Sequence, residues 1–404
     1  VIGLGYIGLP TALMLASHGV EVVGTDYNKE LVESLNAGVP TFKEDGLDEL
    51  FKNAVDAGIK FTNNYQHTDI YIVAVPTPYN KFSKKVDACY VKAAVNDVLD
   101  VCNAGATIIV ESTVSPGTID KEVRPLIAER GFITGKDVHL VHAPERILPG
   151  NMIYELINND RTIGADEPKV AVRVRDIYAS FCKGEIVLTD IRTAEMTKVV
   201  ENTFRAVNIA FANELSRICR HDNMDVYEII RICNKHPRVN IMNPGPGVGG
   251  HCISVDPWFL VGDYPQLTKV IGESMKVNDS QPDFVLERLQ VIMQENNIKD
   301  ASRVGLYGIT YKENVDDYRD SPTLQLLESQ ARHLAAPLKC YDPFLENMKL
   351  TESQYSDFDA FINDVDIVVV MVKHDHICHN WDRLKDKIVL DCHNICPLPN
   401  TYRL

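Results

Sequence analysis

The sequence predicts an α/β protein with two doubly wound domains, joined by a helical central domain with one long helix. Three observations carry this expectation. Short β-branched runs alternate with helical stretches through the first half, the pattern of parallel βαβ units. The same alternation returns from about Arg303. Between them, from Thr193 to about Cys219, a stretch without Gly or Pro keeps one helical period. The expected domains are 1–185, 186–295 and 296–404, and 404 residues exceed one ordinary domain.

In the first domain the candidate strands are Val20–Thr25, Ile70–Val75, Thr107–Glu111 and Val138–His142. Each ends in a segment rich in Gly, Pro, Ser, Thr or Asp, where open α/β sheets bind ligands. Ahead of them Gly3-Leu4-Gly5-Tyr6-Ile7-Gly8 matches G-x-G-x-x-G, with an apolar helix after it. The glycines permit a tight turn, backbone approach to a pyrophosphate, and close packing of the helix on the sheet. The next strand ends at Asp26, at the spacing expected for a carboxylate on an adenosine ribose. Asp26 would repel a 2′-phosphate, which favours NAD over NADP. The first domain is therefore expected to be Rossmann-like.

The long helix is expected to be capped by Thr193, with Glu195 in its first turn near the positive end of the dipole. Met196, Val200, Phe204, Val207, Phe211, Leu215 and Ile218 form an apolar stripe. A helix of this length spans roughly 40 Å and suits a link between domains or a subunit interface. Lys198 and Asn202, with Arg205 three further on, lie on roughly the opposite face. The bland reading is a solvated polar face; the functional one is a cation that stabilises an oxyanion.

Asn243-Pro-Gly-Pro-Gly-Val-Gly-Gly-His-Cys252 is the most unusual segment. It makes a poor core element and a good loop around a phosphate or sugar. A helix starting near Cys252 would lower the thiol pKa and supply a thiolate. Asp256, four residues on, would share its face, whereas His251 would not. The second α/β unit has candidate strands Val304–Ile309, Leu338–Tyr341, Ile367–Val372 and Ile388–Leu390.

The formal charge is −15, from 41 basic and 56 acidic residues, which argues against nucleic acid as a partner. Ten cysteines without regular spacing read as reduced thiols in a cytoplasmic protein, and no apolar run is long enough for a membrane span. The chain opens at Val1 inside a strand, so the natural N-terminus is expected a few residues upstream.

Taken together, these residues resemble the UDP-glucose/GDP-mannose dehydrogenases across essentially the whole chain. The landmarks are the glycine loop, Val75-Pro-Thr-Pro78, Glu111-Ser-Thr113, Ala143-Pro-Glu-Arg146, Ala194-Glu-Met-Thr-Lys198 with Asn202, Gly249-Gly-His-Cys252 with Asp256, and Tyr311-Lys312 leading to Arg319-Asp-Ser321. Within the family, His236-Pro-Arg-Val-Asn240 and the segment from Pro244 to Trp258 are most similar to the UDP-N-acetylmannosamine 6-dehydrogenases. UDP-N-acetylglucosamine and UDP-glucose 6-dehydrogenases are the rivals. The resemblance implies Cys252 as nucleophile, Lys198 and Asn202 at an oxyanion, Asp256 and Thr113 organising a water, and Glu145 as general base. It implies NAD held by Gly3, Gly5, Tyr6, Ile7, Gly8, Asp26, Thr77, Thr113 and Arg319. The nucleotide sugar would be held by Arg146, Ile147, Lys198, Asn202, Arg205, His236, Arg238, Gly247, Tyr311 and Lys312, with Arg238 serving a neighbouring subunit. A homodimer or higher homo-oligomer, no membrane partner, no metal, and a product feeding surface polysaccharide in a bacterium or archaeon are further implications. His393 stands where relatives usually carry Arg or Lys, which weakens a substrate contact there.

Competing readings are a two-electron hydroxyacid dehydrogenase, which would not need Cys252, a non-catalytic NAD-binding regulator, and structural zinc at His374-Asp-His376-Ile-Cys378-His379 with Cys392 and Cys396.

Overall fold

The structure is a computed structural model that describes residues 1–331 and 336–404. It divides into two compact units, Val1–Glu201 and Asn202–Leu404. The α/β organisation expected from the sequence is present in each.

In the first unit the strands are β1 (Val23–Thr25), β2 (Lys60–Thr62), β3 (Ile70–Val73), β4 (Ala106–Val110), β5 (Val138–His142), β6 (Arg161–Ala165) and β7 (Ile186–Thr189). Strands β3 to β7 form one sheet in sequence order, and β1 pairs with β2. Ile2 bridges Thr25 on one side and Val73 on the other, so the first strand is a single bridging residue between the two sets. All pairs are parallel except β5 with β6, an antiparallel join. The sequence reading placed β1, β3, β4 and β5 but missed β2, β6 and β7. All five residues of β4 are buried, as a strand covered on both faces requires. One core layer centres on Leu9, Leu13 and Leu15 of the first helix with Ile72, Ile109 and Val141. The layer on the other face centres on Val91, Val95, Val98 and Ile108.

In the second unit β8 (Val304–Tyr307), β9 (Lys339–Tyr341), β10 (Gln354–Tyr355), β11 (Ile367–Val370), β12 (Ile388–Asp391) and β13 (Thr401–Arg403) pair in the order β10-β9-β8-β11-β12-β13, all parallel. The chain leaves β8 towards β9 and β10, then returns to the other side of β8. That reversal opens a crevice at the carboxyl ends of β8 and β11, where doubly wound sheets take ligands. Gly308 follows β8 at φ +93°, and a Cβ there would stand 2.5 Å from Val372 Cβ. Glycine is required for both reasons.

The long helix runs Ile191–His221, two residues longer at each end than expected. Its cap is Asp190, whose carboxylate accepts the Thr193 N–H (2.9 Å) and hydroxyl (2.6 Å). An acceptor at the residue before the helix satisfies an orphan amide that Thr193, already inside, cannot reach.

Burial on this helix reverses the bland expectation. Val200, Phe204, Phe211 and Ile218 of the apolar stripe are 45–66% exposed, whereas Lys198 and Asn202 are each 7% exposed. No helix among the described residues is long and apolar enough to cross a membrane.

Candidate active site

The first unit carries a nucleotide cradle. Gly3 has φ +87°, and a Cβ on it would lie 2.6 Å from the Ala74 carbonyl oxygen. A Cβ on Gly8 would lie 1.8 Å from the Gly3 carbonyl oxygen, so these two glycines serve close packing. At Gly5 a Cβ would meet nothing within 4 Å. Its open side, ahead of the helix Gly8–Ser17 with no side-chain cap, fits a pyrophosphate. The Asp26 carboxylate accepts the N–H of Leu4 (2.8 Å) and of Asn28 (2.9 Å), which ties the glycine loop to the end of β1. A cavity of about 460 Å³ opens there, lined among others by Gly3, Asp26, Asn63, Tyr65, Val75 and Tyr90. Carboxylate, aromatic wall and open glycine together match the ribose, adenine and pyrophosphate of NAD. The Tyr6 ring packs at a tilt against Phe42, with ring centroids 4.5 Å apart. Ser112 donates to the Val75 carbonyl (2.6 Å), so the segments carrying Thr113 and Thr77 are tied together.

Glu145 lies deeper in this unit and is 7% exposed. Its carboxylate binds the Arg161 guanidinium and accepts the Arg146 N–H (2.6 Å). Arg161 also stands 3.7 Å from Glu111, and Tyr178 donates to Glu111 at 3.0 Å. The guanidinium carbon sits 4.6 Å from the Tyr178 ring centroid and 5.3 Å from that of Phe181. Burial works against the Arg161 charge, but Glu145, with smaller help from Glu111, outweighs it and raises the pKa. Burial, then the Glu145 charge, push the Glu111 carboxyl up to about 7.

That shift has a consequence for stability. A carboxyl whose folded pKa exceeds its unfolded value of about 4.3 stabilises fully below that value, and loses the contribution as pH rises to the folded pKa. Glu111→Gln removes this loss. Its urea midpoint is expected to rise relative to the unmodified protein between about pH 5 and pH 8, by an equivalent of about 1–3 kcal/mol. Parallel midpoint curves would contradict it.

Glu195 does not act on its own helix dipole. It is 1% exposed and accepts the N–H of Gly117 (2.5 Å) and Ile119 (2.9 Å). The start of the long helix is thereby fastened to the loop that follows Thr113. Burial raises its pKa to about 7 although both amide bonds pull it down. Neither Glu195 in this role nor Arg161 with Tyr178 was anticipated. A lone Arg opening a strand carries no sequence signal.

Arg146 binds Glu201 (2.7 Å), the Thr162 hydroxyl (3.0 Å) and the Asp160 carbonyl (3.1 Å). Its neighbour Ile147 is buried in the core. Lys198 forms no ion pair among the described residues despite its burial.

In the second unit Asn202 donates to the Asp256 carboxylate at 2.6 Å, and Asp256 is 3% exposed. The helix of the cysteine segment begins at Asp256, not near Cys252. Cys252 occupies the preceding turn, and its carbonyl accepts the N–H of Val255 (3.1 Å) and Asp256 (2.8 Å). The thiol therefore lies outside the helix that was expected to activate it, since the turn 251–255 closes on its own hydrogen bonds. Arg205 is partly buried, while His236 and Arg238 are exposed.

Tyr311 and Lys312 sit on the loop after β8. Asp342 fixes that loop by accepting the N–H of Ile309 (2.6 Å) and Thr310 (2.9 Å). Asn314 donates its N–H to His374 Nδ1 (2.9 Å). His374 is thus committed to the loop, and among the described residues no group of three or more His, Cys, Asp or Glu could hold a metal. Arg319 is held by both Asp317 oxygens. The ring of His393 bonds the Met371 carbonyl (2.9 Å), and burial lowers its pKa, so it is neutral where a cation was sought.

Comparison with known proteins assigns the chain to one family. Residues 1–182 match the NAD binding domain of the UDP-glucose/GDP-mannose dehydrogenase family, 192–280 its central domain, and 305–397 its UDP binding domain. The chain is 40% identical over 407 residues to a UDP-N-acetyl-D-mannosamine dehydrogenase of Methanocaldococcus jannaschii, covering 98% of this chain and 92% of the relative. It is 38% identical over 408 residues to an NDP-N-acetyl-D-galactosaminuronic acid dehydrogenase of Ralstonia nicotianae, covering 97% and 94%. The solved UDP-D-ManNAc dehydrogenase of Pyrococcus horikoshii superposes with a TM-score of 0.91 at 35% identity, covering 100% of this chain and 97% of that one. The chain belongs to the UDP-glucose/GDP-mannose dehydrogenase family and is an NAD-dependent oxidoreductase.

Proposed function

We propose that this enzyme oxidises the C6 alcohol of UDP-N-acetyl-D-mannosamine to the carboxylate, in two hydride transfers through a covalent intermediate on Cys252. The observation that carries the reading is the buried polar face of the long helix, with Asn202 bonded to Asp256 four residues beyond Cys252. Lys198, buried as a residue and forming no ion pair among the described residues, is well explained as a partner for an anion formed in the reaction.

Bound NAD⁺ supplies the acceptor for each hydride. Loss of the first hydride and a proton turns the alcohol into an aldehyde. The Cys252 thiolate adds to the carbonyl carbon, and the resulting oxyanion is stabilised by the Lys198 ammonium and the Asn202 amide. Loss of the second hydride from that carbon leaves a thioester. Water ordered by Asp256 and Thr113 gives a proton to Glu145 and attacks the thioester, which releases the acid and restores the thiolate. Arg161 suits Glu145 to this role by fixing the carboxylate's position through their buried ion pair. Arg146, Ile147, Arg205, His236, Arg238, Gly247, Tyr311 and Lys312 hold the nucleotide sugar on this reading, and Arg319 contributes to NAD.

The test is NADH formed per sugar consumed, with UDP-N-acetylmannosamine, UDP-N-acetylglucosamine, UDP-N-acetylgalactosamine and UDP-glucose. Two NADH with the first and little with the others supports the proposal. Two NADH with another sugar keeps the chemistry and overturns the specificity, and one NADH overturns the chemistry.

The same reading makes the protein a cytoplasmic homo-oligomer that supplies a uronic acid for surface polysaccharide. Support for the assembly comes from the exposed row Val200, Phe204, Phe211 and Ile218, an apolar face of the kind that marks subunit contacts. Phe204→Glu with Phe211→Glu is expected to yield a monomer by light scattering, where the unmodified chain is at least a dimer. An unchanged mass would remove this face from the interface.

A further inference from the structure

The glycines before Cys252 were expected to make room for ligand, but three of them are closed against the second unit's own loops. A Cβ on Gly249 would lie 2.7 Å from Tyr311 Cβ and 2.7 Å from the Asp320 carbonyl oxygen. Gly250, at φ +80°, would place its Cβ 2.9 Å from Cε2 and 3.0 Å from Cζ of the Tyr311 ring. Gly247 is similarly closed by Pro322, 3.0 Å away. At Gly245 a Cβ would meet nothing within 4 Å. The Gly250 N–H also donates to the Arg319 carbonyl at 2.9 Å, and the Ser254 hydroxyl returns to the Gly250 carbonyl. The turn bearing Cys252 is therefore seated on the Tyr311 ring at one end and continues into the helix of Asp256 at the other.

We propose that Tyr311 is a positioning residue for Cys252: its ring is the seat that Gly250 lies on, its Cβ closes against Gly249, and it sets where the thiol stands before any substrate is bound. The proposal deepens the reading above, in which Cys252 is the nucleophile and Tyr311 contacts the nucleotide sugar. It has a chemical rationale in two features. An aromatic ring is a rigid flat wall with few rotamers, and a glycine pair is the backbone that can approach it most closely. The Tyr311 backbone is itself fixed, since its N–H donates to the Asp317 carbonyl at 2.9 Å. Placement of a nucleophile to within a few tenths of an ångström decides how much of the attack is prepaid. The same loop carries Lys312, so the segment expected to hold the nucleotide is also the one that steadies the thiol.

The experiment measures alkylation of Cys252 by iodoacetamide in the full chain without substrate or NAD, read peptide by peptide, with exposed Cys89 as internal control. Tyr311→Ala unseats the turn and is expected to raise the Cys252 rate at least about fivefold with Cys89 unchanged. In turnover it lowers kcat by about 30-fold or more, in addition to any rise in KM from the lost sugar contact. Tyr311→Phe keeps the ring and restores the Cys252 alkylation rate. If Tyr311→Ala does not fold, Gly249→Ala presses on the same contact from the cysteine side and carries the same expectations. Cys252 alkylation within twofold of the unmodified chain in the folded variant, with a defect confined to KM, overturns the proposal and leaves Tyr311 a substrate contact alone. Because alkylation needs no turnover, it reads the placement whether or not Cys252 forms a thioester. Persistent acid formation by Cys252→Ser would overturn the mechanism and leave the seating intact.

Discussion

Cys252→Ser is expected to abolish acid formation, lowering the rate of the complete oxidation by about 10³-fold or more. A serine hydroxyl is too weakly acidic to add to the aldehyde as the thiolate does, and an ester in place of the thioester is a poorer acyl donor. The first hydride transfer does not involve the sulfur, so the variant should still interconvert alcohol and aldehyde when supplied with aldehyde and NADH. Quenched-flow analysis of NADH and acid separates the two half-reactions. Acid produced at near the original rate would show that the aldehyde is hydrated and oxidised without a covalent step. The structure adds a reason to expect an all-or-none effect. The turn 251–255 is closed by backbone bonds onto Cys252 itself and leads directly into Asp256, so a replacement of similar size keeps the site while removing the chemistry.

Lys198→Met is the second large effect, and its sign differs between activity and stability. Removing one preorganised donor from an oxyanion costs about 10²–10³ in kcat. Lys198 is 7% exposed as a residue and forms no ion pair among the described residues, so a neutral side chain of similar length gives up no salt bridge. Methionine of similar length keeps the buried stem packed and adds apolar contact at its end, and the melting temperature is expected to rise while kcat falls. Trade of stability for activity is the signature of a charge placed for function. A melting temperature that falls together with kcat would mean that Lys198 holds the fold rather than the reaction. Loss of KM with kcat preserved would make it a ground-state substrate contact.

The Gly3–Gly8 loop and Asp26 were legible because their geometry is local: a turn with forced φ, a helix start, and a carboxylate at the end of the next strand. The structure adds only that Asp26 holds the loop through the Leu4 amide. The oddity of the glycines before Cys252 was legible, yet the reason for those glycines was not. Three of the four pack against Tyr311, Asp320 and Pro322, residues some sixty to seventy-five positions later, and no local pattern encodes such a contact. Glu195 was misread in the same way, because its amide donors lie at Gly117 and Ile119.

The sequence by itself determined the α/β class, the nucleotide loop, the long helix and the family, since these rest on periodicities and turn chemistry that neighbours in the chain impose on one another. Only the tertiary structure decided which face of the long helix is buried. An apolar stripe and a polar stripe on opposite faces are equally helical, and hydrophobicity alone would have sent Phe204 and Phe211 inward. The inward face belongs instead to Lys198, Asn202 and Glu195, because the groups that satisfy or require them, among them the 117–119 amides and Asp256, come from distant segments. The same holds for Arg161, which links Glu145 to Glu111 and Tyr178. Burial of a charge depends on partners, and partners distant in the chain are brought together only when it folds.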